Sequence, residues 1–145
     1  MFLLQQGLFM QDEITCSRTL EERLRPLIRF DVEEVWAVAF SSRLVPIATE
    51  LIFRGDASGC QVHPREIFRF ALRQNAVSVA IAHSHPSNDP EPSLEDLHVT
   101  HRLCLVGRLV GIALIDHLVM SESGAVSMAN RGYFREWRKK RSIRI

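Results

Sequence analysis

The chain has 145 residues, 46% hydrophobic and 24% charged, with a net charge of +1, the composition of a globular domain large enough for one ordinary core. No apolar run approaches the roughly 20 residues that span a bilayer. The apolar start Met1-Phe2-Leu3-Leu4 has no basic flank and is soon followed by Asp12 and Glu13, so no secretory leader is expected and the expected location is cytoplasmic. Three separated cysteines, Cys16, Cys60 and Cys104, form no Cys-x-x-Cys pair; they read as free small apolar residues, not as a disulfide frame or a cysteine zinc site. Charge is uneven: residues 131–145 hold seven bases and one acid, a basic tail on an acidic body.

Residues 1–14 show no clear period, and Phe2, Leu3, Leu8 and Phe9 fit a core or a dimer contact. Thr15 to Arg29 reads as a helix through Leu20, Leu24, Leu27 and Ile28, disturbed by Pro26. Val32 to Phe40 and Leu44 to Phe53 read as strands of a hairpin, with Pro46 marking an edge or a bulge. Gly55 to Gly59 is a loop. Pro64 opens a helix that reaches Asn75. Ala76 to Ala82 is a continuous apolar run, as expected of a strand buried on both faces. Ser93 and Asp96 form a capping-box pattern at the head of a helix that runs to about Leu109. Gly111 to Met120 and Ala125 to Met128 are strands around a turn at 122–124, and 133–141 reads as a short basic helix. Strands alternating with helices give an α/β class with a mixed sheet flanked by helices. One domain over 1–145 is expected, with its core over about 20–134 and a basic tail at 135–145.

The chemistry concentrates between His83 and Asp96. In His83-Ser84-His85 the two imidazoles project to one side of an extended backbone. Asp96 in the first turn of the next helix adds a carboxylate, delivered by a loop stiffened by Pro86, Pro90 and Pro92. Two rings and one acid suit a divalent ion with an open coordination position, as in a catalytic zinc site. Such a site needs a nearby unbound acid to carry a proton. Glu50 is the candidate; Glu33, Glu34 and Glu66 compete with it. Ser93 caps the helix and is also placed to help in catalysis. Asp116-His117 is read as a hydrogen-bonded pair that orients a ligand, or as a structural pair. His98 and His101 read as helix surface or packing, and His63-Pro64-Arg65 as a loop-to-helix turn.

The pattern His-Ser-His-Pro, six intervening residues and then Ser-x-x-Asp resembles the metal motif of the JAMM (JAB1/MPN+) metalloproteases. Val62-His63-Pro64-Arg65-Glu66-Ile67-Phe68, Ala80-Ile81-Ala82-His83, Asp89-Pro90-Glu91-Pro92-Ser93, Leu114-Ile115-Asp116-His117-Leu118 and Val126-Ser127-Met128-Ala129-Asn130-Arg131-Gly132 resemble the RadC family. The resemblance covers roughly residues 20–134. It implies a JAB1/MPN-like (deaminase-like) fold, His83, His85 and Asp96 as zinc ligands, and Ser93 as an oxyanion-stabilising residue. It also implies Glu50 as acid/base, because the family's glutamate precedes a strand-ending glycine by five residues, as Glu50 precedes Gly55. RadC proteins usually carry Asn where this chain has Ser84 and Gly where it has Asn88. Their frequent helix-hairpin-helix segment is not expected here.

The expected activity is zinc-dependent hydrolysis of a peptide or isopeptide bond in a protein or peptide substrate. The alternatives are a nucleic-acid-associated role through the basic tail and a metal-bearing scaffold without turnover. A deaminase is disfavoured, since His-x-Glu and paired cysteine ligands are lacking.

Overall fold

The computed structural model describes residues 16–55 and 62–139. The readings made for residues 1–14, Cys60, most of the Gly55–Gly59 loop and the end of the basic tail lie outside them. The elements are α1 (Ser17–Leu24), β1 (Glu34–Phe40), β2 (Pro46–Arg54), α2 (Pro64–Arg73), β3 (Ser78–Ser84), α3 (Leu94–Val110), β4 (Ala113–Ser121), β5 (Gly124–Ser127) and α4 (Tyr133–Lys139). They match the expected elements in kind and order. The first helix is shorter than its apolar pattern: it stops at Leu24, before Pro26, whose ring cannot sit inside a continuing helix.

The five strands form one mixed sheet in the order β2-β1-β3-β4-β5. β1 runs antiparallel to both β2 and β3, β3 and β4 are parallel, and β4 returns antiparallel into β5. β2 is an edge strand, and its ladder shifts register where Phe40 meets Pro46, which accommodates a residue without an N–H. β3 is buried along its whole length, as its apolar run requires. The parallel β3–β4 pair is joined by α3, the usual way to bridge two parallel strands.

Alternation divides the sheet between two layers. Val35, Ala37, Ala39, Val79 and Ile81 face Ile67, Phe68, Phe70 and Ala71 of α2 and Leu103 of α3. Val38, Phe40, Ala80, Ala82, Leu118 and Met120 face Leu20 and Leu24 of α1 and Ile28. Gly107 lets α3 approach closely: a Cβ there would lie 2.4 Å from the Ile112 carbonyl oxygen. Gly111, with φ at 75°, ends the helix in the left-handed conformation that glycine adopts without penalty.

One irregularity in β4 matters for the site. Val79 pairs with Leu114, but Ala80 pairs with Asp116, so β4 carries one extra residue there. Leu114 faces the α2/α3 layer while Leu118, four positions on, faces α1. An unbroken strand would put both on one face; the bulge inverts the parity and turns His117 toward α3.

Candidate metal centre

His83 lies near the end of β3 and His85 just beyond it, where the backbone is still held to the sheet by the His85 N–H donating to the Met120 carbonyl at 2.7 Å. Asp96 is the third residue of α3. Ser93 caps that helix: the Asp96 N–H donates to Ser93 Oγ at 3.1 Å, and the Ser93 N–H donates to Asp96 Oδ2 at 2.8 Å. The capping box read from sequence therefore also aims the carboxylate.

The three side chains converge. Asp96 Oδ1 lies 3.2 Å from His83 Nε2, Asp96 Oδ2 lies 3.2 Å from His85 Nε2, and the two ring nitrogens are 2.8 Å apart. One donor atom from each residue falls within 4.8 Å of the others, and no further His, Cys, Asp or Glu among the described residues joins the group. Three donors converging with no fourth protein ligand match the donor set of a catalytic divalent-ion site, so His83, His85 and Asp96 fit a metal.

The electrostatics agree. Burial would raise the Asp96 carboxyl, but the His83 and His85 rings and the Ser93 N–H outweigh it and hold Asp96 far below the usual carboxylate range. The hydrogen bond to Asp96 raises His85, against burial and with help from the Asp89 carbonyl and the charge of Glu33.

Both rings are held from behind. His85 Nδ1 lies 2.8 Å from the Asp89 carbonyl oxygen, an acceptor only, so Nδ1 carries a proton and Nε2 is the nitrogen turned toward Asp96 and an ion. His83 Nδ1 lies 2.7 Å from His117 Nε2, and His117 Nδ1 lies 2.6 Å from Thr100 Oγ1 on α3. Full burial pushes the His117 ring well below its ordinary pKa. Of the Asp116-His117 pair, His117 touches a ligand. Asp116 instead accepts from the His117 and Ala129 N–H groups and from Ser127 Oγ, pinning β4 to the chain after β5; burial raises its pKa against those three donors.

The cluster opens into a cavity of about 430 Å³, with Val35, Val62, Ile81 and Val99 on its apolar side and Glu33, Ser93 and Glu95 among its polar lining. Glu50 is not part of this lining. The β1–β2 register sets it opposite Ala37, two residues in from Val35, the residue that pairs with His83. There its carboxylate accepts from Arg73 Nη2 at 3.2 and 3.3 Å. Gly55, five residues after Glu50, lies beside Glu33 instead: the Gly55 N–H donates to the Glu33 carbonyl at 2.7 Å.

The other two competitors are occupied elsewhere. Glu34 is fully buried and accepts from the Arg29 N–H, Trp36 Nε1 and Arg54 Nε. Glu66 pairs with Arg65 and Arg69 on α2. Glu33, adjacent in sequence to the buried Glu34, is the glutamate of the four that lines the cavity.

The Pro-rich loop is anchored at Asn88, whose φ of 61° is left-handed, a conformation that glycine adopts most easily. Asn88 compensates with its side chain, which accepts the Ser123 N–H at 3.0 Å. His101 packs on Trp137 of α4, ring centroids 5.0 Å apart, which is a structural contact.

Fold and site together define a mixed α/β domain with a His-His-Asp metal-type centre at the end of its central strand. A family profile described as RadC-like JAB domain matches residues 14–133, and the chain belongs to that family. It is 39% identical over 127 residues to a UPF0758 protein of Listeria monocytogenes, covering 86% of this chain and 57% of that protein. It is 41% identical over 134 residues to a UPF0758 protein of Xanthomonas oryzae pv. oryzae, covering 92% and 58%. The chain thus spans somewhat over half the length of these relatives. No helix among the described residues is long and apolar enough to cross a membrane.

Proposed function

We propose that the protein is a zinc-dependent hydrolase that cleaves a peptide or isopeptide bond, with Glu33 as its proton carrier. The observation that carries this reading is a cavity bringing Glu33, half-buried where Glu95 of the same lining is exposed, to the same space as His83, His85, Asp96 and Ser93. A divalent ion held by the three ligands supplies Lewis acidity, making water nucleophilic near neutral pH and polarising a carbonyl. Glu33 takes the proton from the attacking water and returns it to the leaving nitrogen. Ser93 Oγ accepts from the Asp96 N–H and keeps its own proton to donate toward the oxygen that becomes negative at the carbonyl.

The lining supports a peptide over a phosphodiester. Among the described residues it includes Glu33, Glu95 and Asp96 and no Lys or Arg, a field that repels polyanions. The apolar wall of Val35, Val62, Ile81 and Val99 suits a side chain flanking the scissile bond.

The test is a peptide-library cleavage screen with zinc-loaded protein. Glu33→Gln should retain about one zinc per chain and lose at least about 100-fold in turnover, while Glu50→Gln stays close to wild type. Full turnover by Glu33→Gln, or loss confined to Glu50→Gln, contradicts the assignment.

A further inference from the structure

A neutral imidazole offers one bare nitrogen, and metal binding needs that nitrogen to be the one facing the ion. For His85 a carbonyl decides the matter. His83 has no such partner: its Nδ1 faces another imidazole, His117 Nε2, which can donate or accept. Its tautomer must be set further back.

Thr100 sets it. Its Oγ1 lies 2.5 Å from the Asp96 carbonyl oxygen, the carbonyl one turn earlier in α3. A carbonyl cannot donate, so at that separation the hydroxyl proton lies between the two oxygens. The hydroxyl has no second proton, and towards His117 Nδ1 at 2.6 Å it can only accept. His117 therefore carries its proton on Nδ1 and presents a bare Nε2. His83 Nδ1, 2.7 Å away, must then be the donor, and His83 Nε2 is the nitrogen turned to Asp96 Oδ1.

We infer that Thr100 and His117 form a positioning relay that locks His83 in the Nδ1–H tautomer, presenting Nε2 to the metal. Asp96 closes the circuit: its carboxylate belongs to the ligand group and its backbone carbonyl fixes the far end of the relay. The fold provides the geometry twice over. Thr100 lies four residues after Asp96 on α3, and the bulge in β4 turns His117 into the space between α3 and His83. Thr100 and His117 are both fully or nearly fully buried, at 0% and 3% exposure, so water does not compete for the chain of bonds. The relay acts through His83 and touches no substrate.

This deepens the metal-site reading and rests on it only for the affinity readout. The first measurement is the tautomeric state of His83 and His117 in metal-free protein, from ¹⁵N ring shifts and couplings. Both rings should be Nδ1–H. The second is Zn²⁺ affinity by chelator competition in Thr100→Val, His117→Phe and His117→Gln, each checked for folding by thermal unfolding. Thr100→Val and His117→Phe should bind Zn²⁺ about 10–100-fold more weakly. His117→Gln, whose amide oxygen can accept from His83 Nδ1, should recover most of the loss. His83 found as Nε2–H in the wild type, or wild-type affinity in folded Thr100→Val, overturns the relay. A protein that shows both tautomers and the affinity pattern but cleaves no peptide leaves the relay standing and removes the hydrolase. A wild type that takes up no Zn²⁺ removes the hydrolase, and the tautomers alone then decide the relay.

Discussion

Ser84 holds the main chain of Glu34: its Oγ accepts the Glu34 N–H at 2.9 Å and donates to the Val32 carbonyl at 2.8 Å. The two peptide groups on either side of Glu33 are thus clamped by the residue between the two histidines. The Gly55 N–H holds the Glu33 carbonyl from the hairpin. Glu33, one of the residues lining the cavity, therefore sits on a backbone fixed at three points, as the proposed proton carrier requires if it is to be held within a fraction of an ångström.

Replacing Ser84 by alanine tests that clamp. It takes this partner from the buried Glu34 N–H and the half-buried Val32 carbonyl, costing about 1–3 kcal/mol of stability. Peptide turnover should fall about tenfold or more, with zinc content unchanged. Unchanged turnover in a folded Ser84→Ala variant, set against a measured stability loss, means that the clamp serves the fold alone.

Glu34 should govern stability in acid. Burial alone would raise its pKa, but the Arg29 N–H, Trp36 Nε1 and Arg54 together hold it below the ordinary value. A depressed folded pKa stabilises the protein above the unfolded value of about 4.3, and that stability is lost as pH falls through the folded value. Glu34→Gln should cost about 2 kcal/mol at pH 7, and the gap to wild type should shrink below about pH 4. Urea unfolding across pH 3–7 checks the sign; a gap that widens in acid contradicts it.

Gly107 marks the tightest approach of α3. A methyl group there meets the Ile112 carbonyl oxygen at 2.4 Å and the Phe68 ring at 3.3 Å. Backbone cannot yield as a flexible side chain would, so Gly107→Ala should destabilise by about 2 kcal/mol despite alanine's better helix propensity. Calorimetry should show a Tm roughly 6 °C lower. A Tm at or above the wild-type value is the contrary result.

Much of this was legible in the chain because local rules and global packing agree. Pro64, Ser93 with Asp96, and the apolar run ending at Ala82 each specify an element end or a burial state by themselves, and the His-x-His spacing fixes a shared side. Which of the competing glutamates lines the cavity was not legible. Glu33, Glu34 and Glu50 are chemically alike, and their sorting depends on which end of the β1–β2 ladder meets β3, a long-range register. His117 was visible only as half of a pair, because the residue that turns it inward is an extra one in β4 with no sequence mark of its own. Thr100 carried no signal at all: a threonine in a helix interior ordinarily bonds its own preceding turn, and here it also accepts from across the layer.

The central claim is that His83, His85 and Asp96 bind one dication. It is tested most directly by metal analysis of protein equilibrated with Zn²⁺ and freed of excess, for the wild type and for His85→Ala and Asp96→Ala. The account predicts about one zinc per chain in the wild type and nearly none in folded variants. It also predicts that zinc at about 100 times its Kd stabilises the wild type by about 2.7 kcal/mol and the variants by almost nothing. Wild-type protein that takes up no zinc and gains no stability from it, or variants that hold zinc as fully as wild type, would contradict it.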